Sequence, residues 1–301
     1  MPRHICHVPL RWADMDAFGH VNNVVYLRYL QEARVDMLFV HAPEQGAEHL
    51  ARGVVVRRHE IGYRAPLHFR PAPIRVETWV TEVRAGSFGL GYEILDVEPD
   101  GTRTVYAVAA SVLVPFDLGE DRIRRIAPRE REVLESFLEP AGPVPGGAGY
   151  GATRSPSEGR ARARVRPSIL RHSYDCAVRF DDLDRYGHVN NVTFAEYLQE
   201  ARVDFAHRYL ADSMEAHEGS VVAHQSLEYL RPVSFRTTPL HVATWVTRIG
   251  TSSFDVAYEI SDDDVVYVRA TGALVAYDVS KHRPRPLTEA ERAALAKFLE
   301  P

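Results

Sequence analysis

The ten residues Asp14–Asn23 read DMDAFGHVNN, and Asp182–Asn191 read DLDRYGHVNN. Around these decamers, Arg11–Asp36 aligns without a gap to Arg179–Asp204 at an offset of 168, and 17 of the 26 aligned residues are identical. Two copies of a long segment indicate a duplicated module, because a solenoid has shorter and more numerous repeats. The sequence therefore predicts two similar modules in one chain.

Further matches extend the repeat to the end of each copy. TWV at Thr78 matches TWV at Thr244 at an offset of 166, and FLEP at Phe137 matches FLEP at Phe298 at an offset of 161. The offset falls in small steps, as expected when loops shorten while helices and strands persist. The segment 140–171 is rich in Gly, Pro, Ala, Ser and Arg and lacks apolar periodicity, which is typical of a linker. We therefore predict a first domain over residues 1–139, this linker over 140–171, and a second domain over 172–301.

Each copy has the periodicity of one helix followed by several strands. Val24–Val40 and Val192–Leu210 have apolar residues three and four positions apart, which predicts a helix with an apolar face. Strands are predicted where apolar and polar residues alternate, as in IRVETWVTEV from Ile74 and LHVATWVTRI from Leu240. The T-x-x-E spacing from Thr288 to Glu291 predicts a capping box at the last helix. These patterns indicate the α+β class, with each module an antiparallel sheet wrapped round a central helix.

Composition excludes several classes of protein. Lys and Arg total 36 against 41 Asp and Glu, and this net charge of −5 does not suggest binding to nucleic acid or to an anionic membrane surface. No segment approaches the roughly 18 consecutive apolar residues of a membrane span, so we expect a cytoplasmic protein. Cys6 and Cys176 do not occupy equivalent positions, which argues against a disulfide or metal framework.

The decamer has a structural and a functional interpretation. Asp and Asn ahead of a helix accept hydrogen bonds from its unpaired N–H groups, and Gly permits a turn with positive φ. Capping needs only one side chain, however, and does not explain two acids, a His and two Asn in fixed order. A helix start also attracts developing negative charge, and a carboxylate beside it could attack a carbonyl or deprotonate water. The pattern therefore favours an acyl-transfer site in each copy.

Both copies resemble the hotdog-fold thioesterases of the 4-hydroxybenzoyl-CoA thioesterase type. The resemblance rests on D-x-D-x-x-G-H-V-N-N, on YLQEAR in the following helix, and on Y-x-x-P from Tyr63 and from Tyr229. It covers nearly all of each copy and implies two tandem hotdog modules. It also implies hydrolysis of acyl-CoA or related acyl thioesters without a metal or organic cofactor.

The resemblance assigns roles to individual positions. It implies that Asp16 and Asp184 are the catalytic carboxylates, acting as nucleophile or general base. It implies an oxyanion-stabilising backbone N–H at the helix start, with further site-shaping positions beside it: Asn23, Asn191, His20, His188, Gly19 and Gly187. Plant acyl-ACP thioesterases use D-x-N-x-H, but Phe18 and Tyr186 stand at the Asn position here, so we expect the Asp to act on water without that Asn. A structural role for the two His, hydrogen-bonding the turn, is an equal alternative. The first acid of each decamer, Asp14 and Asp182, is expected to be a structural hydrogen bonder.

Substrate contacts and partners follow from the same resemblance. Four side chains are substrate-binding candidates, the aromatics for the acyl group and the cations for CoA phosphates: Phe18, Tyr186, Arg70 and Arg236. Single hotdog modules pair through their sheets, so we expect the two halves of this chain to pair with each other, and a homo-oligomer is possible beyond that. Two rival functions stay open, a non-catalytic acyl-CoA-binding or sensing protein and an acyl-ACP thioesterase. A hotdog hydratase is disfavoured because neither H-F-P nor N-P-x-H occurs.

Overall fold

The computed structural model describes residues 3–51, 53–117, 119–120, 122–139, 170–213 and 218–300. The first half contains strands β1 His4–Val8, β2 Val54–Tyr63, β3 Ile74–Val83, β4 Phe88–Val97, β5 Arg103–Asp117 and β6 Arg122–Ile123. Its α-helices are α1 Asn23–Val35, α2 Ala42–Glu44 and α3 Pro128–Glu135. The second half contains strands β7 His172–Cys176, β8 Glu218–Tyr229, β9 Leu240–Ile249, β10 Ser253–Ser261, β11 Val266–Asp278 and β12 Arg283–Pro284, and helices α4 Asn191–Tyr209 and α5 Glu289–Ala296.

The predicted α+β architecture is confirmed in both halves. The helix expected from the three-and-four spacing and the strands expected from alternation all form, with β3 and β9 at the predicted bounds. The capping box at α5 is present, because Glu291 N–H donates to Thr288 Oγ1 and Thr288 N–H donates to Glu291. Most of the predicted linker, residues 140–169, lies outside the described residues, so the domain boundaries stay predictions.

One antiparallel sheet of twelve strands runs through both halves. Its order is β1-β3-β4-β5-β2-β8-β11-β10-β9-β7, with β6 added to β5 and β12 added to β11. The halves therefore join where β2 pairs with β8. At this junction Glu60 lies opposite Ser226. These two residues occupy equivalent positions in the two halves, at the 166-residue offset. A pseudo-twofold axis consequently passes between β2 and β8, as expected for a paired duplication.

The central helices lie against the sheet and against each other. Leu27 and Leu30 of α1 and Leu198 of α4 are completely buried, as the apolar spacing predicts. Arg28 of α1 forms an ion pair with Glu196 of α4, and these two residues occupy equivalent positions 168 apart. A pair of two first halves would bring two Arg28 side chains together. The opposite charges therefore favour pairing within the chain, although an exposed pair of this kind contributes less than about 1 kcal/mol.

The helices differ at their C-terminal ends. From Asp36 to His41 the chain continues α1 as a π-helix, whereas α4 stays α-helical to Tyr209. From Asp36 to Tyr63 the chain advances 27 residues (63 − 36), against 25 (229 − 204) from Asp204 to Tyr229. A widened turn accommodates extra residues in a helix, which explains why the helix predicted as far as Val40 is α-helical only to Val35.

Candidate active site

The catalytic Asp predicted in each decamer lies in a tight hydrogen-bonded turn. Asp16 Oδ1 accepts from the N–H of Phe18 at 2.8 Å and of His20 at 3.1 Å, and Asp16 N–H donates to His20 O at 2.8 Å. Gly19 closes the turn at φ 75°, a conformation that other residues adopt at a cost. Within the described part of the chain, Asp16 Oδ2 has no hydrogen-bond partner. One carboxylate oxygen is therefore fixed and the other is available for chemistry.

The second half repeats this arrangement atom for atom. Asp184 Oδ1 accepts from the N–H of Tyr186 at 2.8 Å and of His188 at 3.3 Å, and Gly187 has φ 76°. Asp184 Oδ2 likewise has no partner among the residues described. Both turns thus hold a half-buried carboxylate with one unengaged oxygen.

The helix that follows each turn begins with one unpaired backbone N–H. Asn22 is the N-cap of α1: its Oδ1 accepts from Val24 N–H at 2.9 Å, and its carbonyl accepts from Val25 N–H at 2.9 Å. The N–H of Asn23 has no acceptor among the described residues. In α4, Asn190 caps Val192 and Thr193 in the same way, and the N–H of Asn191 is left without an acceptor in that part of the chain. These are the two positions predicted to stabilise an oxyanion.

Backbone pairing brings the carboxylate turn and the helix start together. Met15 bridges Val21, and Asn22 N–H donates to Asp14 O at 2.8 Å, so the connection between Asp14 and α1 is a closed loop. Leu183 bridges Val189 in the second half. The free carboxylate oxygen and the free N–H therefore belong to one closed loop, which leads into the positive end of the helix dipole.

The first acid of each decamer is structural, as predicted. Asp14 is buried, and its Oδ2 accepts from Arg11 N–H at 2.8 Å and from Tyr29 Oη at 2.7 Å. Asp182 Oδ2 accepts from Arg179 N–H and from the hydroxyl of Tyr197. These contacts tie the loop to the first turns of the helix.

The tyrosine of each Y-x-x-P motif holds the first residue of the helix. Tyr63 Oη donates to Asn23 O at 2.8 Å, and Tyr229 Oη donates to Asn191 O at 2.8 Å. Burial raises the pKa of both hydroxyls far above the ordinary value, so they remain donors. The sequence identified these tyrosines as motif residues without assigning them this role.

The two decamer histidines have different surroundings. The His20 ring is buried, with centroids 4.8 Å from His68 and 6.3 Å from His282 of the second half. Burial and the neighbouring His68 lower the pKa of His20. His188 is half-buried, and its backbone bridges Ser234, which occupies the position equivalent to His68. The alternative roles of the two histidines stay open, because neither ring bonds to its Asp.

Each decamer also contacts the opposite half. A methyl group on Gly219 would lie 3.2 Å from the Phe18 ring. In the other direction, Arg185 donates to Ala51 O at 2.7 Å, to Tyr186 Oη at 2.8 Å, and stacks 4.7 Å from the centre of the Phe39 ring. Each decamer therefore lies at the contact between the two halves.

The predicted phosphate-binding arginines are engaged in ion pairs. Arg70 forms a two-pronged pair with Asp96, which also accepts from Tyr106 Oη at 2.7 Å. Arg236 pairs with Asp262 at 2.7 Å. A CoA phosphate at either guanidinium would compete with a carboxylate already in place, so their role in substrate binding stays a prediction.

One group of side chains of the types that can bind a metal ion lies together among the described residues, at the far end of α1. His4 Nε2 is 2.9 Å and His41 Nε2 is 3.7 Å from Asp36 Oδ2. The pair recurs as His172 and Asp204 in the second half, where no third ligand is present in the described chain. The shared pair joins the first strand of each half to its central helix.

The glycines of the two turns offer a direct test of this geometry. Nothing lies within 4 Å of a methyl group added to Gly19, so Gly19→Ala should cost only the backbone penalty of about 1 kcal/mol. We also expect it to lower the rate constant of the reaction at Asp16, because relief of the strained φ would displace the Asp16 carboxylate. Gly101 has φ 86° and equally open surroundings in an exposed turn, so Gly101→Ala should cost the same stability and leave the rate unchanged. Urea denaturation and steady-state kinetics of the two variants measure both quantities; equal rates would contradict the assigned role of the turn.

Comparisons with known proteins agree with this architecture. The profile of the thioesterase-like superfamily matches residues 10–137 and 178–295, one match in each half. Among curated proteins, the uncharacterized protein YsmA of Bacillus subtilis (strain 168) is 32% identical over 124 residues, which cover 40% of this chain and 81% of that protein.

Solved structures extend the likeness to nearly the whole chain. A Lactobacillus plantarum protein described as an oleoyl thioesterase is 15% identical, with a TM-score of 0.67 over 90% of this chain and 95% of that one. The 12:0-ACP thioesterase of Umbellularia californica is 16% identical, with a TM-score of 0.65 over 93% of this chain and 94% of that one. At such identities the likeness establishes the fold, which is two hotdog modules in tandem. No helix within the described residues is long and apolar enough to cross a membrane.

Proposed function

The chain belongs to the thioesterase-like superfamily, and we propose that it is a thioester hydrolase that cleaves acyl-CoA to the free acid and CoA at two sites, one in each half. Asp16 serves the first site and Asp184 the second. Each acts from the turn ahead of its central helix.

The unengaged oxygen of each carboxylate supplies the base or nucleophile. As a general base, Asp16 Oδ2 takes a proton from water while the water oxygen bonds to the thioester carbonyl carbon. The tetrahedral intermediate then breaks its C–S bond, and the same proton passes to the leaving thiolate. As a nucleophile, the carboxylate would form an anhydride that water then hydrolyses. The contacts support either route, because Oδ1 stays anchored in both.

The free N–H of Asn23 or Asn191 stabilises the oxyanion of that intermediate. A donor fixed in a rigid site needs no reorganisation when the negative charge forms, and removal of one such donor typically costs about 100- to 1000-fold in rate. The helix dipole adds to the attraction.

One observation carries the proposal. Each half has, in a single closed loop, one carboxylate oxygen and one helix-start N–H without a partner in the described chain, while the other oxygen of the carboxylate and the next two N–H groups of the helix are hydrogen-bonded. An Asn N-cap leaves the N–H of the first helical residue open in any helix. Capping does not explain why both halves also place a carboxylate with an unpaired oxygen in the same loop.

An acyl-ACP thioesterase is the second candidate function. The Umbellularia californica relative in fold is named as a 12:0-ACP thioesterase, and an acyl carrier protein presents the same thioester on the same pantetheine arm. The chemistry of the two sites would be unchanged, and only the carrier contacts would differ.

A panel of thioesters tests the proposal and separates the candidates. Hexanoyl, decanoyl, palmitoyl and benzoyl groups are offered on CoA, on acyl carrier protein and on pantetheine, and free thiol is followed with a chromogenic disulfide. We expect at least one acyl-CoA to be turned over with a higher kcat/KM than the same acyl group on either other carrier. Preference for acyl carrier protein would reassign the carrier. Absence of thiol release from every member, with tight binding of acyl-CoA in calorimetry, would favour the non-catalytic binding protein.

A further inference from the structure

A buried hydrogen-bond chain crosses from the first half to the start of α4 in the second. His59 lies on β2 and is 1% exposed. Its Nε2 is 3.0 Å from Asn191 Nδ2, and its Nδ1 is 2.7 Å from Ser111 Oγ on β5. With the Asn191 amide as donor, His59 accepts at Nε2 and donates from Nδ1–H to Ser111. Both ring nitrogens are thereby used.

Asn191 is the residue whose backbone N–H is the proposed oxyanion donor of the second site. Its side chain is fixed by His59 of the first half, and its carbonyl is fixed by Tyr229 Oη at 2.8 Å. Two anchors on one residue restrict the direction in which its N–H can point. We propose that His59 is a positioning residue for the second site, which holds the oxyanion donor of Asn191 in place; this inference rests on the proposed function.

His59 suits this role because it remains neutral. Burial, aided by the nearby Arg34, lowers the pKa of His59 well below the ordinary value for histidine. A neutral ring keeps an acceptor at Nε2 throughout the pH range of ordinary activity assays. Neither nitrogen is free to take a proton from water, which distinguishes this role from that of a general base.

The first site lacks the equivalent chain. Gln225 on β8 occupies the position of His59 at the 166-residue offset, and Gly272 lies opposite it, as Ser111 lies opposite His59. Gln225 is 1% exposed, and neither its Oε1 nor its Nε2 has a partner in the described part of the chain. Asn23 Nδ2 is also buried without a partner there, and Asn23 Oδ1 has only a long contact of 3.4 Å from Arg202. The side chain of Asn23 is therefore held less firmly than that of Asn191.

The two sites should consequently differ in rate. A misdirected donor stabilises the transition state less, because transition-state stabilisation depends steeply on geometry. We expect the second site, with His59, Ser111 and Asn191 connected, to have the larger kcat. Its KM should differ little, since Asn191 N–H acts on the oxyanion and not on the bound thioester.

The test isolates each site by disabling the other. Asp16→Asn leaves the second site active, and Asp184→Asn leaves the first. His59→Gln, the residue that the second half has at this position, is added to each background. We expect kcat to fall about tenfold in the Asp16→Asn protein with KM unchanged, and less than twofold in the Asp184→Asn protein. The pH dependence of kcat should keep its shape, whereas loss of a general base would change it.

The reverse substitutions, which introduce the His59 and Ser111 residue types into the second half, test whether the effect is purely structural. A methyl group on Gly272 would lie 3.5 Å from Val256 and 3.7 Å from Tyr258, which is ordinary van der Waals contact, so serine fits. Gln225→His with Gly272→Ser should therefore build the missing chain and raise kcat of the Asp184→Asn protein about threefold or more. A structural disturbance would lower that rate.

The outcomes separate this inference from the function on which it rests. If Asp16→Asn and Asp184→Asn together leave hydrolysis intact, the proposed catalytic carboxylates are wrong and the positioning question does not arise. If the carboxylates are required but His59→Gln slows both sites equally, or neither, His59 does not position Asn191. Equal effects accompanied by a lower melting temperature would assign His59 to stability alone.

Discussion

Replacement of both Asp16 and Asp184 by Asn is expected to lower kcat for thioester hydrolysis by at least about 100-fold, the usual contribution of a general base. The substitution is nearly isosteric, and Oδ1 of the new amide still accepts from the N–H groups that Asp16 Oδ1 binds now, at 2.8 and 3.1 Å. The turn should therefore stay folded. The open atom becomes an amide nitrogen, which can neither take a proton nor attack a carbonyl.

The single variants Asp16→Asn and Asp184→Asn should lower the hydrolysis rate by unequal amounts. Each one leaves one site intact, so neither is expected to abolish activity. The second site is inferred to be faster. Asp184→Asn, which disables it, should therefore lose more than half of the wild-type hydrolysis rate, and Asp16→Asn should lose less than half. Steady-state kinetics with a saturating acyl thioester, followed by thiol release, measure these fractions.

A matched control is available in an exposed turn. Asp100 Oδ1 accepts from Thr102 N–H at 2.8 Å, the same residue spacing as Asp16 to Phe18, but it lies in the exposed turn between β4 and β5 and does not precede a helix. Asp100→Asn should leave kcat unchanged. Near wild-type activity in the Asp16→Asn, Asp184→Asn double variant would overturn the assignment of both carboxylates.

The sequence was most informative where one physical constraint determined the pattern. Alternation of apolar residues predicted β3 and β9 at their observed bounds, because each lies in a sheet with one face packed on a central helix. The repeated decamer likewise predicted two equivalent turns, since its Gly and Asp residues meet local backbone demands that do not depend on the rest of the fold.

The strands at the junction, β2 and β8, were harder to read. VVVRRHEIGY on β2 combines charged residues with His59 and Ile61, both fully or nearly buried. Its partner is β8, a strand 166 residues away in the alignment, so no local pattern identifies it as a central strand. His59 resembles a surface histidine until the pairing brings it against Asn191. The contrast between the halves gives no clear signal either, because the residues beside His59 and Gln225 also differ: Arg58 aligns with His224 and Glu60 with Ser226.

The roles of Arg70 and Arg236 also depended on contacts that local sequence does not reveal. Both stand in the loop after Y-x-x-P, a position that suits a phosphate contact. Their partners, Asp96 and Asp262, are 26 residues further along the chain. The local sequence does not show whether such an arginine contacts a ligand or forms an ion pair with a distant carboxylate, so only the fold distinguishes the two roles.

The second large effect concerns stability. Glu291→Ala is expected to lower the free energy of unfolding by about 3 kcal/mol, at the lower end of what breaking a buried ion pair costs. The Glu291 side chain is 3% exposed and accepts from Arg285 Nη1 and Nη2 at 2.7 and 2.6 Å and from Thr288 N–H at 2.7 Å. Its removal breaks the ion pair and the capping box together.

Two further variants make this result interpretable. Glu289→Ala alters an exposed glutamate in the same first turn of α5, and it should cost less than about 1 kcal/mol. Glu130→Ala removes the equivalent residue of the first half, which accepts from Arg124 at 2.8 and 2.7 Å and from Ala127 N–H at 2.7 Å. It should cost a similar amount to Glu291→Ala. Equal losses from Glu289→Ala and Glu291→Ala would mean that helix charge, and not the buried pair, accounts for the effect.

The effect of Glu291 should also depend on pH with a definite sign. Burial is the largest single influence on the pKa of Glu291 and would raise it, but Arg285 and the Thr288 N–H together outweigh burial and lower it. A carboxyl whose pKa is lower in the folded state stabilises the fold fully above its unfolded pKa of about 4.3. That stability is lost as the pH falls through the folded pKa. Urea denaturation should therefore show a difference in the free energy of unfolding between wild type and Glu291→Ala that is constant from about pH 6 to 8 and narrows below about pH 4. A difference that widened on acidification would contradict this prediction, because it would mean that the folded protein binds the proton more tightly than the unfolded chain does.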